Sequence, residues 1–186
     1  FYVYIGARLE TENALKILES DNPTETLDSF HFYDRYIGLV ENESQLAKFN
    51  EEKTFVFLGS GPLPLTLIMF NKVFACKCIG IEQQKDVADL SVKVLKRLGL
   101  DNDIQIVVGD ETTIKDLDYD ILMVAALAEP KDRVFANIWE YVDEKTPVIY
   151  RTYTGMRAIL YSPVLDKDTR GFHKEVMMLP SGKTNN

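Results

Sequence analysis

Over the first fifty positions apolar residues return at helical spacing. From Thr54 onward they gather into short unbroken runs. In "FYVYIGARLETENALKILES" the residues Ile5, Leu9, Leu15 and Leu18 recur near the 3.6 period and predict a helix. "SDNPTETLDSFHFY" restarts one, with Asn22 as N-cap, Pro23 in the first turn and Glu25 completing a capping box. A third helical stretch is expected from Asp34 to Phe49, carrying Tyr36, Leu39, Val40 and Leu46, before "NEEKT" punctuates the chain.

Beyond it strands and helices alternate. Strands are expected at 54–58, 76–81, 104–107, 120–125 and 147–151, and helices at 63–73, 84–98 and 130–142. Continuous apolar runs, rather than alternating ones, predict a parallel sheet with helices on both faces. "GFHKEVMML" is a sixth candidate strand, one arm of an antiparallel pair whose other arm is absent. Two regions are therefore expected. Residues 1–50 form a helical cap, the C-terminal part of an N-terminal helical domain, and residues 51–186 form the sheet domain, lacking its last strand. Phe1 already lies inside an apolar-periodic segment and "LPSGKTNN" is turn-like, so a piece of a longer chain is expected.

In such a sheet the ligand lies off the carboxyl ends of the strands, where the topology switches. "TFVFLGSGPLPLTLIMF" runs the first strand into Gly59-Ser60-Gly61 and then into two prolines, with Pro64 replacing the third glycine of a dinucleotide fingerprint. The next strand ends at Glu82, 23 residues after Gly59, where an acid accepts from two ribose hydroxyls. "VVGDETT" puts Asp110, with Glu111 beside it, where a carboxylate accepts from an adenine amino group. "DILMVAALAEP" offers Ala125 and Ala126, small enough for a flat base or a sulfonium to come close.

Taken singly, Glu82 reads equally well as a surface carboxylate, and Asp110 reads somewhat better as a turn residue. In register, the four strand ends read as an adenosine site. Pro62 and Pro64 remove two N–H donors that a pyrophosphate would need at a helix N-terminus. S-adenosylmethionine carries no phosphate, and the prolines are harmless to it.

Charge and composition narrow the partners. A net charge of −8 argues against nucleic acid, whose binding rests on Lys and Arg neutralising phosphates. No apolar run approaches the ~20 residues of a membrane-crossing helix, and a cytoplasmic location is expected. The two cysteines, Cys76 and Cys78, share one face of a strand; without further Cys or His nearby they read as buried free thiols rather than a metal site.

S-adenosylmethionine has three electrophilic carbons, so its binding does not fix the group transferred. "FLGSGPLPLT", "GDET", "LMVAALAEPK", "IYRTYTGMRAILYSPV", "LPSGK" and "SFHFYDRY" together resemble nicotianamine synthase, particularly its archaeal forms, over nearly the whole chain. The resemblance implies a Rossmann-like class I S-adenosylmethionine-dependent transferase sheet. It also implies transfer of the 3-amino-3-carboxypropyl arm onto an α-amino group, repeatedly, with release of 5′-methylthioadenosine. Plant forms close an azetidine ring; archaeal relatives are similar, with glutamate as a starting acceptor. The product chelates metals, while the protein needs none.

By that resemblance Glu10 is the general base and Tyr36 orients the amine, with Glu12 the neighbour that could hold the same role. Without it, Glu10 reads as a solvated helix face and Tyr36 as a packing aromatic. Each transferred unit brings a carboxylate, for which Arg151, Tyr153 and Thr154 stand after the fifth strand. Arg157 fits that task or a pairing with a helix-surface acid equally. His31 and His173 are read as non-catalytic. The partners expected are small molecules, with a homodimer left open. The competing readings are an S-adenosylmethionine-dependent methyltransferase, a staphylopine-type metallophore synthase, and a module that binds without turnover.

Overall fold

The computed structural model describes residues 2–155 and 157–178. Three helices open the chain: α1 (Tyr2–Glu19), α2 (Pro23–Asp28) and α3 (Tyr33–Glu43). Then β1 (Thr54–Leu58), α4 (Leu65–Phe74), β2 (Lys77–Glu82), α5 (Lys85–Leu98), β3 (Ile104–Val108), a 3-10 turn (Glu111–Asp116), β4 (Ile121–Val124), α6 (Lys131–Tyr141), β5 (Val148–Tyr150) and α7 (Arg157–Leu160) follow. The five strands are all parallel in the order β3-β2-β1-β4-β5. The chain leaves β1 toward β2 on one side and returns to β4 on the other. The crevice between β1 and β4 is thus the topological switch point, where ligands of this sheet type bind.

The strands alternate faces at the period of two. Phe55 and Phe57 of β1 join one buried cluster, and Val56 and Leu58 join the other. The first cluster also takes in Ala14, Ile17, Leu27, Val40 and Phe49 from the opening helices, which therefore share a core with the sheet. Phe49, Phe55 and Phe70 meet with ring centroids 4.5–5.6 Å apart. At the start of the sheet Asp120 accepts from Lys53 Nζ (2.8 Å) and Thr54 N (2.8 Å), tying β1 to β4. Cys76 and Cys78 are buried free thiols with sulfurs 3.8 Å apart. Among the described residues no helix is long and apolar enough to cross a membrane, and no group of three His, Cys, Asp or Glu side chains is placed to hold a metal ion.

Three local expectations are corrected. The third helix ends at Glu43 instead of Phe49. Beyond it Phe49 still reaches the core from a non-helical segment, so apolar spacing there reported burial without helix. The capping box at α2 is absent: Ser20 Oγ accepts from Asn22 N (3.0 Å), which removes the N–H that Glu25 would have bonded. Residues 171–178 form no strand. Phe172 instead sets its ring against Trp139 (5.1 Å) and Phe135 (6.3 Å), and side-chain packing takes the place of a ladder. Leu179, the last residue of that candidate strand, and "LPSGK" lie outside the described residues.

Candidate active site

A cleft of about 2060 Å³ runs along the carboxyl ends of β1, β2, β4 and β5 and under α1 and α3. It exceeds the ~300–1,000 Å³ of an ordinary small-molecule pocket. Every position expected to bind cofactor borders it: Gly59, Ser60, Gly61, Glu82, Asp110, Glu111, Ala125 and Ala126. Glu10, Tyr36, Arg151, Tyr153 and Thr154 line the same cleft, whereas Glu12 is committed to an exposed ion pair with Arg8 (2.7 Å).

The glycine turn has no spare amides at its glycines. Gly59 N and Ser60 N both donate to Ile81 O (2.9 and 3.2 Å), and Gly61 N donates to Glu82 Oε2 (3.1 Å). Pro62 and Pro64 have none to give. This is an anion-indifferent turn, as the prolines implied, and its glycines serve shape. Gly59 and Gly61 take φ of +88° and +72°, which L side chains avoid. A Cβ on Gly59 would meet Ala125 Cβ at 3.0 Å, and one on Gly61 would meet Glu10 Oε2 at 3.1 Å.

Glu82 is 7% exposed, and its carboxylate is aimed by Gly61 N and by Gln84 N (3.0 Å to Oε1). Asp110 caps the 3-10 turn, and both hydrogen bonds, from Thr112 N (3.0 Å) and Thr112 Oγ1 (2.7 Å), fall on Oδ1. Those bonds hold its carboxyl below the usual range, the side-chain bond contributing most. Glu111 behaves differently from its neighbour. It is 3% exposed and binds Arg133 (2.7 and 3.2 Å) and Asn137 (2.9 Å), which fastens the 3-10 turn to α6.

Above the turn, Tyr36 on α3 donates its hydroxyl to Glu10 Oε1 on α1 at 3.2 Å. Glu10 keeps some surface toward the cleft while protein encloses the rest. Burial pushes its carboxyl up to about 7, against the opposing pull of the Tyr36 bond and then Arg151. Tyr36 is pushed up as well, by burial first and then by the Glu10 charge, and remains a phenol. The pair is therefore a protonatable carboxyl beside a committed donor. Tyr36 occupies Oε1, and Oε2 lies over Gly61.

Arg151, expected to hold a substrate carboxylate, is already engaged. Its Nε and Nη2 grip Glu43 at 2.6 and 2.8 Å, and Nη1 donates to Thr66 (3.0 Å). The guanidinium lies over the rings of Tyr36 (5.9 Å) and Phe57 (5.3 Å). Sequence reasoning missed Glu43, because "VENE" reads as a solvated face. The available signal was its position seven residues, two turns, after Tyr36 on the same helix side. It also missed Arg35, which lines the cleft and whose buried Nε has no hydrogen-bond partner among the described residues. Tyr153 stacks on Tyr161 (4.4 Å, 18°) at the cleft wall.

Comparison with known proteins gives this geometry a context. A family model described as nicotianamine synthase protein matches residues 3–186. A nicotianamine synthase of Solanum lycopersicum is 33% identical over 174 residues, 84% of this chain and 54% of that protein. Nicotianamine synthase 3 of Arabidopsis thaliana is 30% identical over 166 residues, 82% and 52% of the two chains. The chain spans about half the length of these curated relatives.

Among solved structures, MtNAS in complex with MTA and tNA superposes with a TM-score of 0.95 at 53% identity, covering 98% of this chain and 69% of that one. A substituted MtNAS in complex with S-adenosylmethionine gives 0.95 at 52%, covering 100% and 72%. An RNA methyltransferase from Salinibacter ruber in complex with S-adenosyl-L-homocysteine is alike in fold alone, with a TM-score of 0.54 at 20% identity over 62% of this chain and 75% of that one. The expected class I transferase sheet is thus the one found. With a family match over nearly its whole length and a relative 33% identical over 84% of it, this chain belongs to the nicotianamine synthase family.

Proposed function

We propose that this chain transfers the 3-amino-3-carboxypropyl arm of S-adenosylmethionine onto the α-amino group of an amino-acid acceptor such as glutamate, repeatedly, and releases 5′-methylthioadenosine. The carrying observation is the Glu10–Tyr36 pair, standing on the glycine turn at the switch-point end of the sheet. The ligands named for MtNAS, 53% identical, support the same substrate here.

In this reading adenosine lies against Ala125 and Ala126, with its ribose on Glu82 and its adenine near Asp110. The acceptor arrives as an ammonium and must lose a proton before it can attack. A carboxyl with a pKa of about 7 is matched to that task at neutral pH. Glu10 Oε2 takes the proton while Tyr36 holds Oε1. The freed nitrogen lone pair attacks the arm's Cγ, the C–S bond breaks, and its electron pair neutralises the sulfonium. Holding amine and sulfonium in line at the two edges of one cleft supplies the rest. With Arg151 bound to Glu43, the carboxylate of the acceptor or growing chain falls to Arg35, with Tyr153 and Thr154 beside it.

Incubating the protein with S-adenosylmethionine and glutamate, followed by mass spectrometry, tests the reading. Methylthioadenosine and an elongated glutamate are expected; S-adenosylhomocysteine would overturn it in favour of methyl transfer. Glu10→Gln is expected to lower turnover by ~10²-fold or more and to leave S-adenosylmethionine affinity within a few-fold.

A further inference from the structure

A base of this kind is exposed to a specific hazard. A carboxylate beside an unpaired guanidinium in a low-dielectric cleft is held ionised, and such a carboxylate is a poor proton acceptor. Arg151 sits in position to do this to Glu10. Its guanidinium lies over the ring of Tyr36, whose hydroxyl is on Glu10. Yet Glu43 takes the Nε–Nη2 edge of that guanidinium in a bidentate pair, and Thr66 takes a third donor.

We infer that Glu43 and Arg151 are positioning residues for proton transfer: the pair braces Tyr36 from behind, and Glu43 offsets part of the charge that Arg151 presents to Glu10. The inference deepens the proposed function, since it rests on Glu10 being the proton acceptor. Three elements are joined by it, the end of α3 through Glu43, the start of α4 through Thr66 and the end of β5 through Arg151. Glu43 is 8% exposed at its side chain and Arg151 17%, so water screens the pair poorly.

Other charges face Glu10 and set the background. Glu82 lies across Gly61 from it, Arg35 is the neighbour of Tyr36 on α3, and Tyr153 and Arg157 border the cleft beyond β5. None of these grips Arg151 as Glu43 does. Two substitutions should thus move the Glu10 carboxyl in opposite directions. Glu43→Gln frees the Arg151 charge and lowers its titration midpoint. Arg151→Met leaves the Glu43 charge and raises it. A disturbance of packing alone would not reverse sign.

The midpoint is read without substrate, from the infrared carbonyl band of the protonated carboxyl, assigned by its loss in Glu10→Gln. Glu43→Gln is expected to lower it by about one pH unit. Arg151→Met is expected to raise it, and the double variant to bring it back toward the parent value. The acid limb of the kcat–pH profile should follow Glu43→Gln downward. An unmoved midpoint, shifts of the same sign, or a double variant that fails to return would overturn the inference. If Glu43→Gln does not fold, the rise in Arg151→Met and the return in the double variant decide it. Should the band shift as expected in a protein that forms no methylthioadenosine, the proposed reaction falls and the pairing stands. The reverse result separates them the other way.

Discussion

In the proposed reaction Glu10 couples stability to chemistry in a single side chain. Its folded-state carboxyl lies at about 7, against 4.5 for an ordinary glutamate. The native state therefore binds its proton more tightly than the unfolded chain does. The resulting contribution is fully present below pH 4.5 and is lost as pH rises through 7. The loss amounts to at most about 3 kcal/mol, since the cleft admits some water to the group. Glu10→Gln removes the titration. Chemical denaturation should show the variant gaining on the parent by up to about 3 kcal/mol between pH 4 and pH 8, while turnover collapses.

Gly61 answers to the same group. Gly61→Ala is expected to cost ~1–2 kcal/mol of backbone strain at its positive φ, and its Cβ would push Glu10 Oε2 from 3.1 Å. A fall in kcat larger than the rise in the S-adenosylmethionine KM would mark the displaced base.

At the scale of elements, the site depends on how strand ends are fastened to the helices that follow them. Glu111 was expected to touch the cofactor, but its buried carboxylate is occupied by Arg133 and Asn137 between the 3-10 turn and α6. Glu111→Ala should accordingly destabilise by about 1–3 kcal/mol. Calorimetric titration should find S-adenosylmethionine affinity within a few-fold of the parent. A large loss of affinity in a stable variant would show that Glu111 also contacts the cofactor. Asp110, one residue earlier, differs because its bonds to Thr112 use one oxygen. Two adjacent acids on the cleft border thus divide into a turn cap and a clamp to α6, a distinction that no spacing rule contains.

At the scale of the whole molecule a buried cluster lies on each face of the sheet, and the opening helices share one of them. Ala14, Ile17, Leu27, Val40 and Phe49 share a cluster with Phe55, Leu67 and Phe70, so the opening helices and the sheet have no apolar boundary between them. A single thermal transition is expected, with residues 1–50 and the sheet melting together. Separate transitions by calorimetry would show two independent units.

Much of this arrangement is legible from local pattern. Strand runs, the glycine turn and the helices between them follow from side-chain period and backbone preference, which depend on near neighbours in the chain. The two prolines disclosed a turn poor in phosphate-binding donors because a missing N–H is a property of the residue itself. What tertiary structure decided are pairings between distant positions: Tyr36 with Glu10, Arg151 with Glu43, Glu111 with Arg133. The charge and donor capacity of each side chain are written in the sequence. Which partner uses that capacity, and whether water reaches it, is set only when helices and strand ends close over a common cleft.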